Sequence, residues 1–326
     1  MSWLQRIKYD KPTVKGGLVY WKNIMNITRI APSPTGDMHI GTARTAYFNW
    51  LAARASKGKF ILRIDDTDQK RNDPAYTQVI FDTMKWLGLD YDELVYQSSR
   101  FDFYKNTARM LVSDEWAEEK DGAITLKLKK SHNYPVSWKD EIKGEIKITQ
   151  DDMDNMDGMV LIKSDGSPSY NFCSTLDDIQ MGVNFIIRGV DHITNTAKQV
   201  VLWNIVNGLI FGNAIPRFAH LGLICIGNKP MSKRDGASSM LHYMNAGYDS
   251  DAMLNFLARV GWGPTNDDKT TAVLPRERML ELFLTGGKMK SQPSGFDLGK
   301  LESFDRKYKS RKGIWRNGDK LINNGG

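Results

Sequence analysis

The feature that most constrains the fold is the segment of residues 29–42, where a turn rich in proline and glycine joins two regular elements. Its sequence is RIAPSPTGDMHIGT. Residues 26–30 can form a short parallel strand, and residues 40–56 can form a helix. Neither Pro nor Gly continues a regular element easily, so the chain must turn between the two. The sequence therefore predicts a strand–turn–helix unit, the building block of α/β folds.

This turn also has the features of a phosphate-binding site. Gly36 and Gly41 allow the backbone to approach a ligand closely, and the first N–H groups of a helix attract anions. His39, at the start of the helix, would add a side-chain donor. The residues alone leave one alternative open, in which His39 only caps the helix and the prolines only shape a loop.

A second strand is predicted at Lys59–Ile64, an apolar run typical of a strand buried on both faces. Directly after it come the carboxylates of Asp65, Asp66 and Asp68. Ligands of open α/β sheets bind at the carboxyl ends of the strands, and this strand–helix–strand segment has the length of one βαβ unit. We therefore expect the carboxylates to lie beside the His39 turn. A solvated, helix-capping role for them is the alternative.

A third segment, residues 229–236, is a basic loop with the sequence KPMSKRDG. Cations on a flexible loop that contains glycine suit a mobile clamp on a polyphosphate. Taken alone, the loop is a weak signal.

Together these segments resemble the class I aminoacyl-tRNA synthetases, and most closely the bacterial-type glutamyl-tRNA synthetases. Residues 29–42 are similar to the first signature of that family and residues 230–234 to the second. Further blocks that match the family, in the family's order, lie at residues 62–68, 164–171, 177–178, 187–192 and 195–196. The resemblance covers about residues 28–304.

The resemblance implies a fold and a reaction. The fold is α/β, with a Rossmann-like parallel sheet, an inserted subdomain that binds the tRNA acceptor end, and a helical segment at the C-terminal side. In the reaction, the α-carboxylate of glutamate attacks the α-phosphorus of ATP, which gives glutamyl-adenylate and pyrophosphate. The glutamyl group then passes to the 3′ end of tRNA. ATP is a substrate, Mg²⁺ its companion, and tRNA(Glu) the partner, with tRNA(Gln) left open as a second one.

The resemblance also assigns site residues, position by position. His39 and Lys233 are the catalytic residues, which would hold the triphosphate and stabilise the departing pyrophosphate. The ATP-binding residues are Pro32, Thr35, Gly36, His39, Gly41, Thr42, Met231, Ser232, Lys233 and Arg234. The glutamate-binding residues are Arg29, Ser33, Asp65, Tyr170 and Arg188. No metal-binding residue is assigned.

The chemistry of the glutamate set agrees with a dicarboxylate substrate. An arginine fork such as that of Arg29 or Arg188 pairs with a carboxylate, and the neutral amide of glutamine would leave a buried cation unsatisfied. Asp65, or a neighbour in its cluster, would take the ammonium group. The alternative for Tyr170 and Arg188 is an aromatic at the edge of the core and a surface cation.

Three positions depart from the family pattern. Asp65 stands where the family often has Glu, so its contact with the ammonium group would be longer or bridged by water. Pro230 stands where the second signature usually begins with lysine, and Asp235 where a histidine is common. The last two changes bear on the mobility of the loop and on the reaction rate.

The chain is predicted to consist of six segments. Charged stretches and two alternating strands, at residues 123–129 and 144–149, interrupt the sheet pattern and mark an insertion. The segments are a basic N-terminal extension at 1–27, the first half of the catalytic domain at 28–100, the inserted subdomain at 101–163, the second half with the signature loop at 164–240, a helical region at 241–304 and a basic tail at 305–326.

Composition excludes several other classes of protein. Of the 326 residues 41% are hydrophobic, which is typical of a folded globular chain, and we expect neither a membrane helix nor a secretory signal. The two cysteines, Cys173 and Cys225, are too far apart in sequence to form a zinc-binding pair, and they favour a reducing, cytoplasmic location. The absence of such a pair also weakens the alternative of a glutamyl-queuosine tRNA(Asp) synthetase, whose relatives usually bind zinc.

The net charge of +7 is concentrated at the two ends of the chain. Residues 1–27 contain five Lys and Arg against one Asp, and residues 305–326 contain seven against two. The tail has two aromatic residues between its cations, so it suits a contact with the RNA backbone. A solvated tail that aids solubility is the alternative. The residues concerned are Arg306, Lys307, Tyr308, Lys309, Arg311, Lys312, Trp315, Arg316 and Lys320.

The function that these observations favour is a glutamate–tRNA ligase, expected to be monomeric. The competing hypothesis from another class is a non-catalytic RNA-binding paralogue, which would have no need for both the pyrophosphate clamp and the substrate arginines. The family's anticodon-binding domain would begin where this sequence stops, and we expect most or all of it to be missing. A minimal enzyme, a truncated product and a relative that charges another substrate would each account for that.

Overall fold

The structure is a computed structural model that describes residues 13–15, 18–20, 25–210, 214–231, 238–264, 273–285, 287–312, 314–317 and 320–323. The predicted α/β class is confirmed, and the parallel strands lie between layers of helices. Within the described ranges, no helix is both long and apolar enough to cross a membrane.

The first half of the catalytic domain contains the predicted βαβ unit. Its sheet is parallel, in the order β3-β4-β5, and Ile30 pairs with Leu62 in register. The strand–turn–helix unit and the second strand lie where the sequence predicts them. The elements up to residue 96 are β1 (Thr13–Lys15), β2 (Leu18–Tyr20), β3 (Ile27–Ile30), α1 (Ile40–Ala55), β4 (Lys59–Ile64), α2 (Pro74–Leu87) and β5 (Glu93–Tyr96).

Strand β4 is buried on both faces, which explains its apolar run. Phe60, Leu62 and Ile64 pack into one hydrophobic core, together with α1 and α2. Ile61, whose side chain points to the opposite face, belongs to a second core. The sheet therefore separates two cores, as in a three-layer α/β/α arrangement.

The segment that follows contains two small antiparallel units. One is a sheet in the order β10-β7-β6 and the other is the hairpin β8–β9. The two strands expected within this segment correspond to β7 and β9. After a 3₁₀ turn at Gln97–Arg100, the elements are α3 (Phe101–Ser113), β6 (Ala117–Lys120), β7 (Ala123–Leu126), β8 (Ser137–Asp140), β9 (Gly144–Lys147), α4 (Gln150–Asp154) and β10 (Val160–Ile162).

The second half of the catalytic domain has its own sheet, in the order β11-β12-β8-β9. Strands β11, β12 and β8 are parallel, and Phe218 pairs with Asp140 in register. Strand β8, from within the segment predicted as an insertion, thus extends the catalytic sheet. The new elements are α5 (Tyr170–Gln180), β11 (Phe185–Gly189), a 3₁₀ turn at Val190–His192, α6 (Ile193–Ile210), β12 (Arg217–Leu221), β13 (Ile224–Ile226) and β14 (Lys229–Pro230).

Hydrogen bonds from the backbone and from a side chain join the two parallel sheets. The Asn184 N–H, just before β11, donates to the Ile27 carbonyl in β3 at 3.0 Å. The Asn49 amide, on α1, donates to the Ile187 carbonyl at 2.9 Å. Strands β3 and β11 therefore lie next to each other, and the carboxyl ends of β3, β4 and β11 meet at one edge.

Helices follow the second signature segment, as predicted from the apolar spacing there. Helix α8 packs into the same core as α1, and Phe256 and Leu301 are fully buried there. The elements are α7 (Met240–Asn245), α8 (Ser250–Arg259), β15 (Trp262–Pro264), α9 (Arg276–Phe283), β16 (Gly287–Met289), β17 (Ser294–Gly295), α10 (Leu298–Arg311), β18 (Ile314–Asn317) and β19 (Lys320–Asn323).

The boundary predicted at residue 305 falls inside α10, because the last turns of that helix are anchored to the core. The Tyr308 hydroxyl donates to the Leu274 carbonyl at 2.9 Å. Lys309 is buried and pairs with Asp305 at 2.6 Å. Lys312 bonds the carboxylates of Asp249 and Asp251 at 2.9 and 2.8 Å. Three of the residues considered for RNA contact thus have intramolecular roles, while the side chains of Trp315, Arg316 and Lys320 lie outside the described residues.

Gly58, which leads from α1 into β4, generates a prediction about stability. A Cβ atom at this position would clash with the backbone oxygen of Asn26, which is held in place by the Lys59 N–H at 3.0 Å. Gly58→Ala should therefore destabilise the fold by about 1–3 kcal/mol, the usual cost of overpacking a tight site. Gly263→Ala, where no atom lies within 4 Å of the new Cβ, is the matched control. The midpoints of urea unfolding compare the two, and equal midpoints would contradict the prediction.

Candidate active site

A cavity of about 620 Å³ opens at the edge where β3, β4 and β11 end. It brings together every predicted site residue that the structure describes. These are Arg29, Pro32, Ser33, Thr35, Gly36, His39, Gly41, Thr42, Asp65, Tyr170, Arg188 and Met231. The remaining ones, Ser232, Lys233 and Arg234, lie outside the described residues, as does Asp235.

The turn of the first signature is held by backbone hydrogen bonds at both of its sides. The Asp65 N–H donates to the Pro32 carbonyl at 3.0 Å, which fixes the turn to the end of β4. The Asp73 N–H donates to the Pro34 carbonyl at 3.1 Å, which fixes it to the start of α2. Because two elements of the core anchor it, the turn forms a rigid floor of the cavity.

His39 both caps α1 and lines the cavity. Its Nδ1 accepts a hydrogen bond from the Gly41 N–H at 3.0 Å. In the neutral ring the proton must then lie on Nε2, which makes Nε2 a donor. The capping role and the ligand-binding role, opposed as alternatives at the level of sequence, are compatible because each uses a different ring nitrogen.

The residues before and after the second signature loop pack beside the cavity and the first signature. Met231 is buried and lines it, and its N–H donates to the Ile224 carbonyl at 2.8 Å. On the other side, Ser239 forms a β-bridge with His39, and its hydroxyl donates to Asp37 at 2.9 Å. The chain between Met231 and Ser239 therefore starts and ends beside the first signature.

Arg63 is the centre of a buried ionic network under the cavity. It bonds Asp65 at 2.6 Å and Asp178 at 2.8 Å, and its side chain is 1% exposed. Asp178 also accepts from Arg29 at 3.1 Å. Asp177, next to it, bonds Arg100 at 2.7 Å, and Gln97 and Tyr104 add further hydrogen bonds to it. Three carboxylates are thus balanced by three guanidinium groups, as burial of charge requires.

The three carboxylates after β4 have different roles. Asp66 accepts from the backbone and hydroxyl of Ser98 at 2.7 and 2.6 Å, so it fixes the turn after β5. Asp68 forms an exposed pair with Arg71. Only Asp65, of the three, lines the cavity. Burial raises its pKa to about 6, while Arg63, which donates to both carboxylate oxygens, opposes the shift and favours the anion.

Arg188, on β11, is buried, and only some of its N–H donors have hydrogen-bond partners in the protein. Nη2 donates to Thr196 and to Gln199, both at 2.7 Å, and Nε lies 3.4 Å from Nε2 of His220. Among the described residues none accepts a hydrogen bond of normal geometry from Nη1, while an interaction with the Tyr170 hydroxyl favours the charged form and raises the pKa of Arg188 against burial. Burial lowers the pKa of Arg188 to about 10, and the charge of Arg29 acts in the same direction. Arg188 is still a cation at pH 7, and it is neither a surface residue nor fully paired.

Arg29 faces the cavity in a similar way. Its Nε and Nη2 bond Asp178, at 3.1 to 3.3 Å, while the residue lines the cavity. Tyr170, at the first turn of α5, is 40% exposed and its hydroxyl lies 3.4 Å from Nδ1 of His192. Burial lowers the pKa of His192 to about 4, so that ring is neutral at pH 7. Tyr170 thus lies at the rim of the cavity and not at the edge of the core.

Sequence reasoning missed the residues that hold the site residues in place. Arg63 could have been recognised from the sequence, because a cation inside an apolar strand needs a buried partner. Asp178 was singled out only as part of a matching block. His220 and Asp140, which bond each other at 2.6 Å, gave no signal, since they are 80 residues apart.

Comparison with known proteins gives matches over most of the chain. The sequence model of a family described as tRNA synthetases class I (E and Q), catalytic domain, matches residues 26–118 and 114–303. Glutamate–tRNA ligase 1 of Helicobacter hepaticus is 38% identical over 320 residues, which cover 86% of this chain and 66% of that protein. Glutamate–tRNA ligase 2 of Neorickettsia sennetsu is 43% identical over 284 residues, with the same coverage. The chain thus spans about two thirds of the length of these relatives.

Solved structures show the same fold. A glutamate tRNA ligase from Elizabethkingia meningosepticum, crystallised with its amino acid, superposes with a TM-score of 0.75 at 24% identity. The match covers 88% of this chain and 70% of that one. A glutamate-tRNA synthetase from Elizabethkingia anophelis gives a TM-score of 0.74 with similar coverage.

The buried network generates a prediction about stability. Arg63→Met leaves Asp65 and Asp178 without their shared cation, which should destabilise the fold by about 3–5 kcal/mol. Arg71→Met removes the exposed pair with Asp68, and should cost at most about 1 kcal/mol. The midpoints of urea unfolding of the two variants measure the contrast. A shift for Arg63→Met as small as that for Arg71→Met would show that the network is not needed for stability.

Proposed function

We propose that this chain, which belongs to the class I tRNA synthetases for glutamate and glutamine, is a glutamate–tRNA ligase. Its membership confirms the resemblance derived from the motifs. The observation that carries the proposal is the pairing of two buried arginines, Arg29 and Arg188, in one cavity with the anionic Asp65. The part of the cavity that these three residues form, with two cations and one anion, suits a dicarboxylic amino acid.

The side-chain carboxylate of glutamate would lie between the two arginines. Each has its Nε and Nη2 bonded to protein groups, so Nη1 is the atom left for a ligand. The charge of Arg29 already lowers the pKa of Arg188, and an anion between them relieves that repulsion. Asp65 would hold the ammonium group, with Arg63 fixing its position. Ser33 and Tyr170 line the cavity and would add hydroxyl groups.

This arrangement would select against glutamine. Its amide carries no charge to balance the arginines, and its NH₂ group would face donors instead of acceptors. A buried polar group left unpaired costs about 1–3 kcal/mol, and more when it is charged. Such a site distinguishes glutamate from glutamine more strongly than a pocket that reads only the size of the side chain.

ATP would bind at the first signature. The start of α1 offers N–H groups and the positive end of the helix dipole, and His39 Nε2 offers a further donor. Lys233 follows two residues after Met231, which lines the cavity, and we propose it as the second residue that contacts the nucleotide. His39 and Lys233 would stabilise charge on the departing pyrophosphate, and the glutamate carboxylate would itself be the nucleophile.

Mg²⁺ would accompany the nucleotide. Asp37 and Asp191 line the cavity and offer carboxylate oxygens, the ligand type that Mg²⁺ prefers. Bound there, the ion would supply neutralisation of phosphate charge. An Mg²⁺ ion that accompanies a nucleotide is usually held by one or two carboxylates together with phosphate and water oxygens.

The tRNA partner and the cellular setting are part of the same proposal. We propose tRNA(Glu) as the partner, with tRNA(Gln) as a second one to be tested, a monomer and a cytoplasmic location. Arg306, Lys307 and Arg311, exposed on α10, are the described cations of the predicted tail that could still face RNA. No observation favours a glutamyl-queuosine tRNA(Asp) synthetase or a non-catalytic paralogue over the ligase.

The test is aminoacylation of a total tRNA pool with labelled glutamate and, in parallel, labelled glutamine, followed by sequencing of the charged tRNAs. We expect glutamate on tRNA(Glu) and no incorporation of glutamine. Glutamate on tRNA(Asp) would favour the queuosine-type alternative. A folded protein that binds ATP but charges no tRNA would overturn the ligase.

Lys233 generates a separate prediction. If it holds the leaving pyrophosphate, Lys233→Ala should lower the turnover of charging by about ten- to a thousandfold, with a smaller effect on the KM for glutamate. Lys229→Ala is the matched control, because Lys229 is exposed in β14 and lies outside the cavity. Steady-state charging kinetics measure both. An unchanged turnover for Lys233→Ala would remove this residue from the mechanism.

A further inference from the structure

Three neighbouring strands carry a series of buried, hydrogen-bonded polar side chains that ends at Arg188. Asp140 lies on β8, His220 on β12 and Arg188 on β11, which are adjacent in the sheet. Arg188 and His220 are direct partners in register. All three side chains are at most 4% exposed, so each contact is made away from water. Polar groups so deeply buried must satisfy one another.

Asp140 is held by four donors and so has a fixed orientation. One oxygen accepts from the N–H groups of Ile142 and Lys143, both at 2.9 Å. The other accepts from the N–H of His220 at 3.1 Å and bonds its Nδ1 at 2.6 Å. These donors, His220 among them, lower the pKa of Asp140 against the effect of burial, so it is a carboxylate. A carboxylate only accepts, and Nδ1 of His220 must therefore carry the proton.

The tautomer of His220 decides what its other nitrogen can do. With the proton on Nδ1, Nε2 is an acceptor, and burial lowers the pKa of the ring so that it is neutral. Nε2 lies 2.8 Å from the Thr196 hydroxyl and 3.4 Å from Nε of Arg188. Thr196 in turn accepts from Nη2 of Arg188 at 2.7 Å. His220 and Thr196 thus occupy one side of the guanidinium group.

We propose that Asp140, His220 and Thr196 are positioning residues for Arg188, which fix its guanidinium group so that a substrate carboxylate binds end-on at Nη1. A two-point fork from Arg188 would need a second free donor, but Nε and Nη2 are already used by the protein. Gln199 completes the occupied side at 2.7 Å from Nη2. Without these contacts the guanidinium group can turn, and its free donors no longer point to one place.

This inference rests on the proposed function, and it bears on how the site would choose glutamate over glutamine. One nitrogen from Arg188 and one from Arg29 would hold the two oxygens of the glutamate side chain, so the separation of two strands sets where the carboxylate must lie. A loosened Arg188 should weaken glutamate binding and also reduce discrimination against glutamine. ATP binding, at the first signature, should not change.

The test compares Thr196→Val with Thr196→Ser. Valine has nearly the shape of threonine but offers no oxygen to Arg188 or His220, whereas serine keeps the hydroxyl. Thr196→Val should raise the KM for glutamate by about 10- to 100-fold, the loss expected for a hydrogen bond to a charged group, with the KM for ATP changed less than about twofold. Thr196→Ser should stay near the unsubstituted protein. Charging kinetics with glutamate and with glutamine measure both effects.

A second pair addresses the histidine. His220→Gln keeps an acceptor that can face Arg188, and His220→Leu does not, so the KM for glutamate should rise more in His220→Leu. Thermal unfolding shows whether each variant is folded, and if His220→Leu is not, the Thr196 pair carries the test alone.

The outcomes separate this inference from the proposed function. If the unsubstituted protein charges tRNA with glutamate but Thr196→Val and Thr196→Ser have the same KM for glutamate, the positioning role is overturned and the ligase stands. If the unsubstituted protein neither binds glutamate in calorimetry nor charges tRNA, the ligase itself is overturned, and the positioning role with it. A KM that rises for glutamate and ATP alike in Thr196→Val would indicate general distortion and would also overturn the positioning role.

Discussion

The arrangement of the cavity depends on the salt bridges of Arg63. This residue lies at the end of a strand that is buried on both faces, and its charge must be balanced inside the protein. Asp65, directly after β4, and Asp178, on α5, do so at 2.6 and 2.8 Å, and Arg29 joins from β3. The first parallel sheet and α5 are thereby fixed to each other by charge as well as by apolar packing. Removing Arg63 leaves Asp65 buried without its cation, and removing Asp178 leaves Arg29 without its carboxylate.

The same network neutralises most of the charge that lies under the cavity. Asp178 takes up part of the charge of Arg29, and Asp65 takes up part of that of Arg63, so neither sign dominates. In the proposed glutamate site, the carboxylate of Asp65 is left for a ligand on one side and the Nη1 atoms of Arg29 and Arg188 on the other. A dipolar substrate with a second carboxylate complements that pattern, and a preorganised pattern need not rearrange when the substrate binds.

Local sequence patterns could predict the elements that lie close together in the chain. The apolar run of β4 and the turn after β3 indicate a parallel βαβ unit, and the structure places both there. Motif resemblance added distant positions such as Tyr170 and Arg188, which lie in the same cavity. The sequence could not show that Asp140 reaches His220, because that contact depends on the pairing of β8 with β12 across 80 residues. Nor did a count of cations show that Lys309 is buried in an ion pair, since periodic charge on a helix does not reveal which face packs.

The pairing of β8 with β12 also bears on how chains of this kind can be rearranged. The segment between the two halves of the catalytic domain looks like a module that could be exchanged between relatives or removed to give a smaller enzyme. Its hairpin, however, forms the outer strands of the catalytic sheet and supplies the carboxylate that reaches Arg188 through His220. A clean excision would expose the edge of β12 and remove a support of the proposed substrate site. The part that can be exchanged is therefore limited to the residues on either side of the β8–β9 hairpin, and recombination that ignores this strand should give chains whose cavity is no longer shaped for an amino acid.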